Sequence, residues 1–298
     1  DQGQRVVIFD QAPPQSCLHD YVRGDIGQSA DLDRLALGPD DIVYHLAARQ
    51  FHGPVPRTGR DAWFSDVNVL GTRHVLEAMQ KGGAGRLLFF STDMTYGLPV
   101  STPIFAGQVQ SPIGPYGRSK LAAETLILGA MRDFGLRATI FRPRLIAGAG
   151  RLGILSTLFR LIMAGAPVPM IGAGGNRYQM ISVSDCVAAA LKAVEVGIPP
   201  GAFNLGSTDP PTVCELLSGL ISRSGSRSRL IATPGGMVKA TLAILDKLGL
   251  PLLYPEQFKI ADADYVLDTT LTRKTFGWTP AHRDTDIMFE AYDHFARA

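Results

Sequence analysis

Short apolar runs and longer stretches of mixed polarity alternate along most of this chain. Gln4-Arg-Val-Val-Ile-Phe-Asp10 is an apolar run closed by an acid, and Tyr21-Val-Arg-Gly-Asp25-Ile26 and Asp41-Ile-Val-Tyr-His45-Leu46-Ala47-Ala48 are runs of the same kind. Arg86-Leu-Leu-Phe-Phe-Ser91 and Gly135-Leu-Arg-Ala-Thr-Ile-Phe-Arg142-Pro143 follow. Runs of this length without strict alternation predict strands covered on both faces, the condition of a parallel sheet. Between them the spacing predicts helices over about 61–81 and from Tyr116 to about Phe134, with the Pro- and Gly-rich 51–59 as a loop. Met180-Ile-Ser-Val-Ser-Asp185 predicts a strand running into a helix capped by Ser184 or Asp185, with 187–196 as its body. A returning strand at 202–206, a helix over 212–222, a polar loop at 225–229, an amphipathic helix over 237–250 and a final helix over 284–298 complete the pattern. Alternating strands and helices with apolar strand cores predict an α/β fold built on a doubly wound parallel sheet. The later elements are shorter and less regular, which predicts a smaller lobe over the C-terminal ends of the strands, where ligands bind in such folds. The division expected is 1–145 with 181–207 as the sheet domain, and 146–180 with 208–298 as the lobe.

Composition narrows the partners more than the fold. With 298 residues, 46% hydrophobic and 19% charged, the chain can bury a large core. A net charge of +2 gives no strong field, so neither nucleic acid nor an anionic membrane surface is indicated. No apolar run approaches the roughly 20 residues needed to span a bilayer. Cys17, Cys186 and Cys214 are odd in number and lack metal-ligand spacing, which predicts free thiols, no metal site and a cytoplasmic location.

The candidate chemistry lies in Ser91-Thr92-Asp93-Met94-Thr95-Tyr96-Gly97 and, a short loop later, Tyr116-Gly117-Arg118-Ser119-Lys120. A tyrosine one helical turn before a lysine places both side chains on one face. An ammonium beside a phenol favours the phenolate and lowers the tyrosine pKa from its reference of about 10, which suits it to acid/base work nearer neutral pH. Thr92, at a strand end, would offer a hydroxyl to the same substrate oxygen. Such a trio suits moving a proton on and off an alcohol while a nicotinamide takes or returns hydride.

On these residues and their context, the chain resembles the extended short-chain dehydrogenase/reductases, specifically the NAD-dependent epimerase/dehydratase family, which mostly acts on nucleotide sugars. The resemblance covers nearly the whole chain. It implies a Rossmann-like domain that binds NAD, with Thr92, Tyr116, Lys120 and Asp93 as catalytic residues. The cofactor set it implies is Asp10 on the adenosine ribose, Asp25 and Ile26 beside the adenine, Leu46, Ala47 and Ala48 along the strand end, Asn68, Ser91, Tyr116, Lys120, Arg142 and Pro143. The substrate set is Thr92, Asp93, Met94, Tyr116, Arg144, Arg177 and Tyr178. Asn68 would brace the active site, and His45 would be structural. The helices near 61–81 and 113–134 pair across a two-fold axis in that family, which implies a homodimer.

Several features depart from the family pattern. The strand ending at Asp10 arrives early, because a glycine-rich βα turn precedes such an acid by roughly 20 residues in dinucleotide-binding folds. A first βα unit upstream of residue 1 is therefore expected, and weak dinucleotide binding until it is restored. Gly148-Ala-Gly150-Arg-Leu-Gly153 has the formal dinucleotide spacing, but no acid closes a strand about 20 residues later; the resemblance implies instead the glycine-rich turn that follows the family's Arg-Pro strand, by which the chain leaves the cofactor domain. Ile171-Gly-Ala-Gly-Gly175 is expected to be a hairpin-like turn. Met94 stands where the 4,6-dehydratases of the family carry a glutamate, and a thioether cannot abstract a proton. Tyr178 stands where an arginine usually meets the diphosphate, with Arg177 adjacent, and Leu145 where sugar enzymes have an asparagine. Three function classes follow: a nucleotide-sugar C4 epimerase, an NAD-dependent alcohol dehydrogenase or carbonyl reductase, and, behind these, a non-catalytic binding relative; a 4,6-dehydratase is disfavoured by Met94.

Overall fold

The computed structural model describes residues 3–14, 19–51, 55–150 and 155–297. Strands β3 (Ile42–His45), β4 (Arg86–Phe90), β5 (Arg137–Pro143) and β9 (Gly201–Leu205) form one parallel sheet in the order β3-β4-β5-β9. Strands β1 (Val7–Asp10) and β2 (Asp20–Arg23) pair in parallel with each other. The single sheet expected from the sequence is thus divided, since β1 and β2 form a sheet of their own.

The sheet is covered on both faces, and the two-residue period of its strands decides which side chains go where. Leu87 and Phe89 of β4, with Ala138 and Ile140 of β5, enter one core with helices α1 (Ser29–Leu32), α3 (Leu70–Gly82) and α4 (Pro115–Asp133). Leu88 and Phe141 point the other way, into a core with α6 (Val183–Glu195), Phe203 and Trp278. α10 (Thr270–Phe276) adds Phe276 to that second core.

The helix expected over 61–81 is two helices, α2 (Arg60–Asn68) and α3, meeting at Val69. Two residues account for the break. Thr72 Oγ1 donates to the Asn68 carbonyl at 2.7 Å, a bond that bends helices. Gly71 leaves room for Ile26, whose Cδ1 would lie 2.6 Å from an added Cβ. The cap of α6 is also earlier than expected: Ser182, not Ser184 or Asp185, accepts from the Asp185 N–H at 2.9 Å, so Val183 already belongs to the helix.

Four further strands pair outside these sheets, and of them the apolar pattern signalled only the one at 180–182. β6 (Leu145–Ala147) pairs in parallel with β8 (Met180–Ser182), and β7 (Val168–Ile171) with β10 (Leu230–Thr233). The glycine cluster after β7 is therefore not a hairpin, because β7 and β8 belong to different sheets. Helices α5 (Leu155–Met163), α7 (Val213–Ser224) and α11 (Asp284–Arg297) pack around these strands in a core with Phe159, Leu220 and Ile287. α7 opens with a capping box in which Thr212 and Glu215 satisfy each other's backbone N–H groups. Helix α8 (Gly235–Leu248) receives Arg57 at its Leu248 carbonyl, and α9 (Pro255–Phe258) reaches α4 through Glu256. Gly153 and Cys17 lie outside the described residues.

Candidate functional site

The N-terminus of α4 is fixed from across the chain. Pro115 fits the first helical position, where its missing N–H costs nothing. The next two N–H groups, of Tyr116 and Gly117, donate to the two carboxylate oxygens of Glu256 at 3.0 and 2.9 Å. A negative group there also complements the helix dipole. Gly114 is needed because a Cβ would run into the Glu256 side chain. Glu256 is buried, and burial pushes its carboxyl above the ordinary range against the pull of those two bonds. Nothing in the sequence near residue 256 signals this role, since the partner lies 140 residues away. Glu256→Ala is expected to cost about 2 kcal/mol, the range for a helix cap on charged hydrogen bonds. Urea denaturation checks it, with Glu256→Gln recovering part of the loss.

Gly117 sets how closely α4 meets the turn after β4. A Cβ at 117 would lie 2.6 Å from the Met94 carbonyl oxygen, so the two backbones touch only because the residue is glycine. Tyr116 thereby flanks the 92–95 turn. That turn is held by its own side chains: Thr92 Oγ1 accepts from the Met94 N–H at 3.3 Å and donates to Asp93 Oδ1 at 3.1 Å, while Thr95 Oγ1 donates to the Thr92 carbonyl at 3.0 Å. Met94 is the half-buried member of an otherwise buried turn.

Asn68 acts as the expected brace between elements. Its amide donates to Ser119 Oγ at 2.9 Å and to the Arg49 carbonyl at 3.1 Å, and its oxygen accepts from the Arg49 N–H at 2.8 Å. Ser119 Oγ in turn donates to the Tyr116 carbonyl at 2.8 Å. Phe51 and Phe64 pack on the Tyr116 ring with centroids 5.5 and 5.7 Å away. Lys120 is buried with Nζ 4.1 Å from the centroid of the Phe89 ring. Burial pulls its ammonium down to about 7, opposed by the Glu124 carboxylate. Lys120 follows Tyr116 by one helical turn on α4, so the two side chains leave the same face of the helix. His45 contacts Thr72 Oγ1 at 2.9 Å, and burial, with the nearby Lys120 charge, lowers it to about 3, which keeps it neutral and structural.

Around this turn run two buried ion pairs. Arg144 Nη1 donates to Asp93 Oδ2 at 2.6 Å, and its guanidinium lies between the rings of Tyr178 and Tyr265 at 4.2 and 4.4 Å. Burial works against its charge, but Tyr178, Asp93 and Tyr265 outweigh it and hold the pKa above the ordinary arginine value. Tyr265 also donates its hydroxyl to the Asp93 carbonyl at 2.9 Å. In the second pair Arg142 makes a two-pronged contact with Glu124 at 3.1 and 2.6 Å and also reaches Tyr96 and the Ala106 carbonyl. Ser91 Oγ donates to the same glutamate.

The expected cofactor and substrate residues do not all converge. Asp10, Leu46 and Ala47 are exposed at or just past the carboxyl ends of β1 and β3, where small residues and an acid suit the approach of a dinucleotide. Ala48 beside them is half-buried. Asp25 closes its own turn by accepting from Gly27 N–H at 2.7 Å, and Ile26 belongs to the core against Gly71. The side chains of Ser91 and Arg142 turn to Glu124 rather than outward, and Pro143 is buried at the end of β5. Arg177 is half-exposed and engaged by Asp264 at 2.7 Å, apart from the Asp93–Arg144 pair on which its neighbour Tyr178 stacks.

Comparison with known proteins agrees with this geometry at the level of family and fold. The profile of the family described as NAD dependent epimerase/dehydratase matches residues 1–206. A UDP-glucose 4-epimerase of Rhizobium leguminosarum bv. trifolii is 27% identical over 326 residues, covering 100% of this chain and 92% of that protein. The N-acetyl-alpha-D-glucosaminyl-diphospho-ditrans,octacis-undecaprenol 4-epimerase of Escherichia coli O157:H7 is 34% identical over 170 residues, 55% of this chain and 48% of that protein. Among solved structures, UDP-glucuronic acid 4-epimerase from Bacillus cereus in complex with NAD superposes with a TM-score of 0.77 at 20% identity, over 100% of this chain and 92% of the other. The last likeness shows a shared Rossmann-like fold.

Proposed function

Since the chain belongs to the NAD dependent epimerase/dehydratase family, a family of enzymes that use NAD, we propose that it inverts the C4 hydroxyl of a diphosphate-linked hexose or uronic acid. The observation that carries this reading is the 92–95 turn against Tyr116 and Lys120, with Met94 where a dehydratase has its glutamate. Tyr116 takes the proton from the sugar hydroxyl and later returns it to the ketone oxygen. Lys120 supplies positive charge to the phenolate, and Thr92 Oγ1 holds the sugar oxygen in place. Bound NAD supplies the hydride acceptor and donor. Asp10 and the exposed strand ends at Leu46 and Ala47 would hold it, with Asp10 favouring NAD over NADP by repelling a 2′-phosphate.

Elimination of water needs a base to pull the proton beside the ketone. Met94 offers none, and Asp93 is already engaged by Arg144 and by the Thr92 hydroxyl. A ketone that rotated in the site would then present its other face to the cofactor held at Asp10, Leu46 and Ala47, and inversion would leave the cofactor unchanged overall. Two molecules would pair through α2, α3 and α4 as a homodimer. The diphosphate linkage is common to nucleotide sugars and to the lipid-linked sugar named for the E. coli relative, and either carrier fits this reading. Incubation with UDP-, dTDP-, GDP- and CDP-sugars and analysis by NMR is expected to give C4 epimers. A 4-keto-6-deoxy product would overturn the reading of Met94. The engagement of Arg177 by Asp264 and the presence of Leu145 favour one competing reading, a simple dehydrogenase, which predicts NADH accumulating on an alcohol.

A further inference from the structure

The outer face of α8 is apolar and, among the described residues, uncovered. Met237, Ile244 and Leu248 recur at helical spacing and are 70%, 59% and 58% exposed, and Leu250 and Leu252 continue the patch at 65% and 74%. Leu242 alone of α8 is fully buried. The amphipathic helix expected here thus carries apolar residues on both sides, and a contiguous exposed set of large aliphatics marks a surface that meets something.

Charge around the patch is one-sided. Asp246 is paired with Arg60 at 2.8 Å, Asp262 with Lys239, and Glu256 is buried on the α4 amides. Lys247 and Lys259 are exposed beside it and make no ion pair among the described residues. Arg57 rests at the C-terminus of α8, donating to the Leu248 carbonyl at 2.5 Å. Each local acid is thereby engaged while three cations rim the aliphatic face, the signature of a helix that lies in the interface of an anionic bilayer. A net charge of +2 averaged over the chain hides this arrangement. No helix among the described residues is long and apolar enough to cross a membrane.

The patch also joins the candidate site. Arg60, held by Asp246 of α8, lies over the Tyr254 ring at 5.3 Å; Tyr254 stacks on Phe51 at 4.6 Å, and Phe51 meets Tyr116 edge-on at 5.5 Å. We propose that α8, with Leu250 and Leu252, seats the protein on an anionic phospholipid surface, so that the Tyr116 site faces the headgroup layer and takes a diphospho-sugar carried on a lipid. The choice of carrier rests on the epimerase reading; the docking surface does not.

Co-sedimentation of the full chain with vesicles tests it, without cofactor or sugar. Vesicles of phosphatidylglycerol and phosphatidylcholine are expected to bind the protein, and Ile244→Asp with Leu248→Asp to cut binding at least tenfold at unchanged circular dichroism. Leu252→Asp, outside the helix, gives a second reading should the double variant misfold. Lys247→Glu and Lys259→Glu are each expected to weaken binding about fivefold at low salt. Failure to sediment with vesicles, or binding indifferent to these changes, overturns the proposal. So does concentration-dependent self-association abolished by the double variant in protein that ignores vesicles, which would assign the face to a second copy of the chain. Because no turnover is measured, a negative result leaves the epimerase reading standing, and absent epimerase products leave vesicle binding standing.

Discussion

Replacing Tyr116 by phenylalanine is expected to lower turnover by about a thousandfold, within the range for removing a general acid/base, while leaving the fold intact. The ring packs against Phe51 and Phe64, and phenylalanine preserves that packing. Thermal unfolding and NAD affinity should therefore move little. Lys120→Met should reduce both turnover and cofactor affinity. Steady-state kinetics beside a melting curve checks this, and a Tyr116→Phe protein that kept more than a few per cent of its activity would remove Tyr116 from the mechanism.

The largest effect on stability is expected from Asp93→Ala. Arg144 is buried, and among the described residues Asp93 is the carboxylate it pairs with, at 2.6 Å. Removing the carboxylate strands a desolvated guanidinium, a change that costs about 3–5 kcal/mol. The turn carrying Thr92 would lose its anchor with it, so activity should fall in the molecules that remain folded. Asp93→Asn keeps an acceptor without the charge and should lose less. Equilibrium denaturation of both variants decides the matter, and an Asp93→Ala protein as stable as the parent would show that the pair contributes nothing.

The strands most legible in the sequence were those buried on both faces. Leu87, Leu88 and Phe89 had no polar position to interrupt them, and β4 emerged where expected. Strands β6, β7 and β10 were not: Pro169 interrupts β7, and β6 and β10 carry only Leu-Ile-Ala after an arginine, too short an apolar run to be told from loop. The break at Val69 was hidden for another reason: a threonine bonding back to Asn68 and a glycine admitting Ile26 are contacts, and helical spacing continues through them.

The candidate site divides in the same way. Tyr116, Lys120, Thr92 and Asn68 each sit in a short local motif, and residue type and spacing within it suffice to nominate them whatever distant groups hold the motif in place. Glu256 and the Asp93–Arg144 pair depend on groups brought together by the fold, and residue type alone does not report a partner 140 residues distant. Arg177, beside the expected diphosphate position, looks unpaired in the sequence, and only the fold shows Asp264 on it.

The most direct test of the central claim is a single labelled turnover. A diphosphate-linked hexose deuterated at C4 is incubated with the enzyme and NAD in ordinary water, and the product is read by NMR and mass spectrometry. Epimerisation through the Tyr116 site predicts an inverted C4 that retains its deuterium, with no net NADH. Loss of the label to solvent, a 4-keto-6-deoxy product, or NADH formed in proportion to a stable ketone would contradict it.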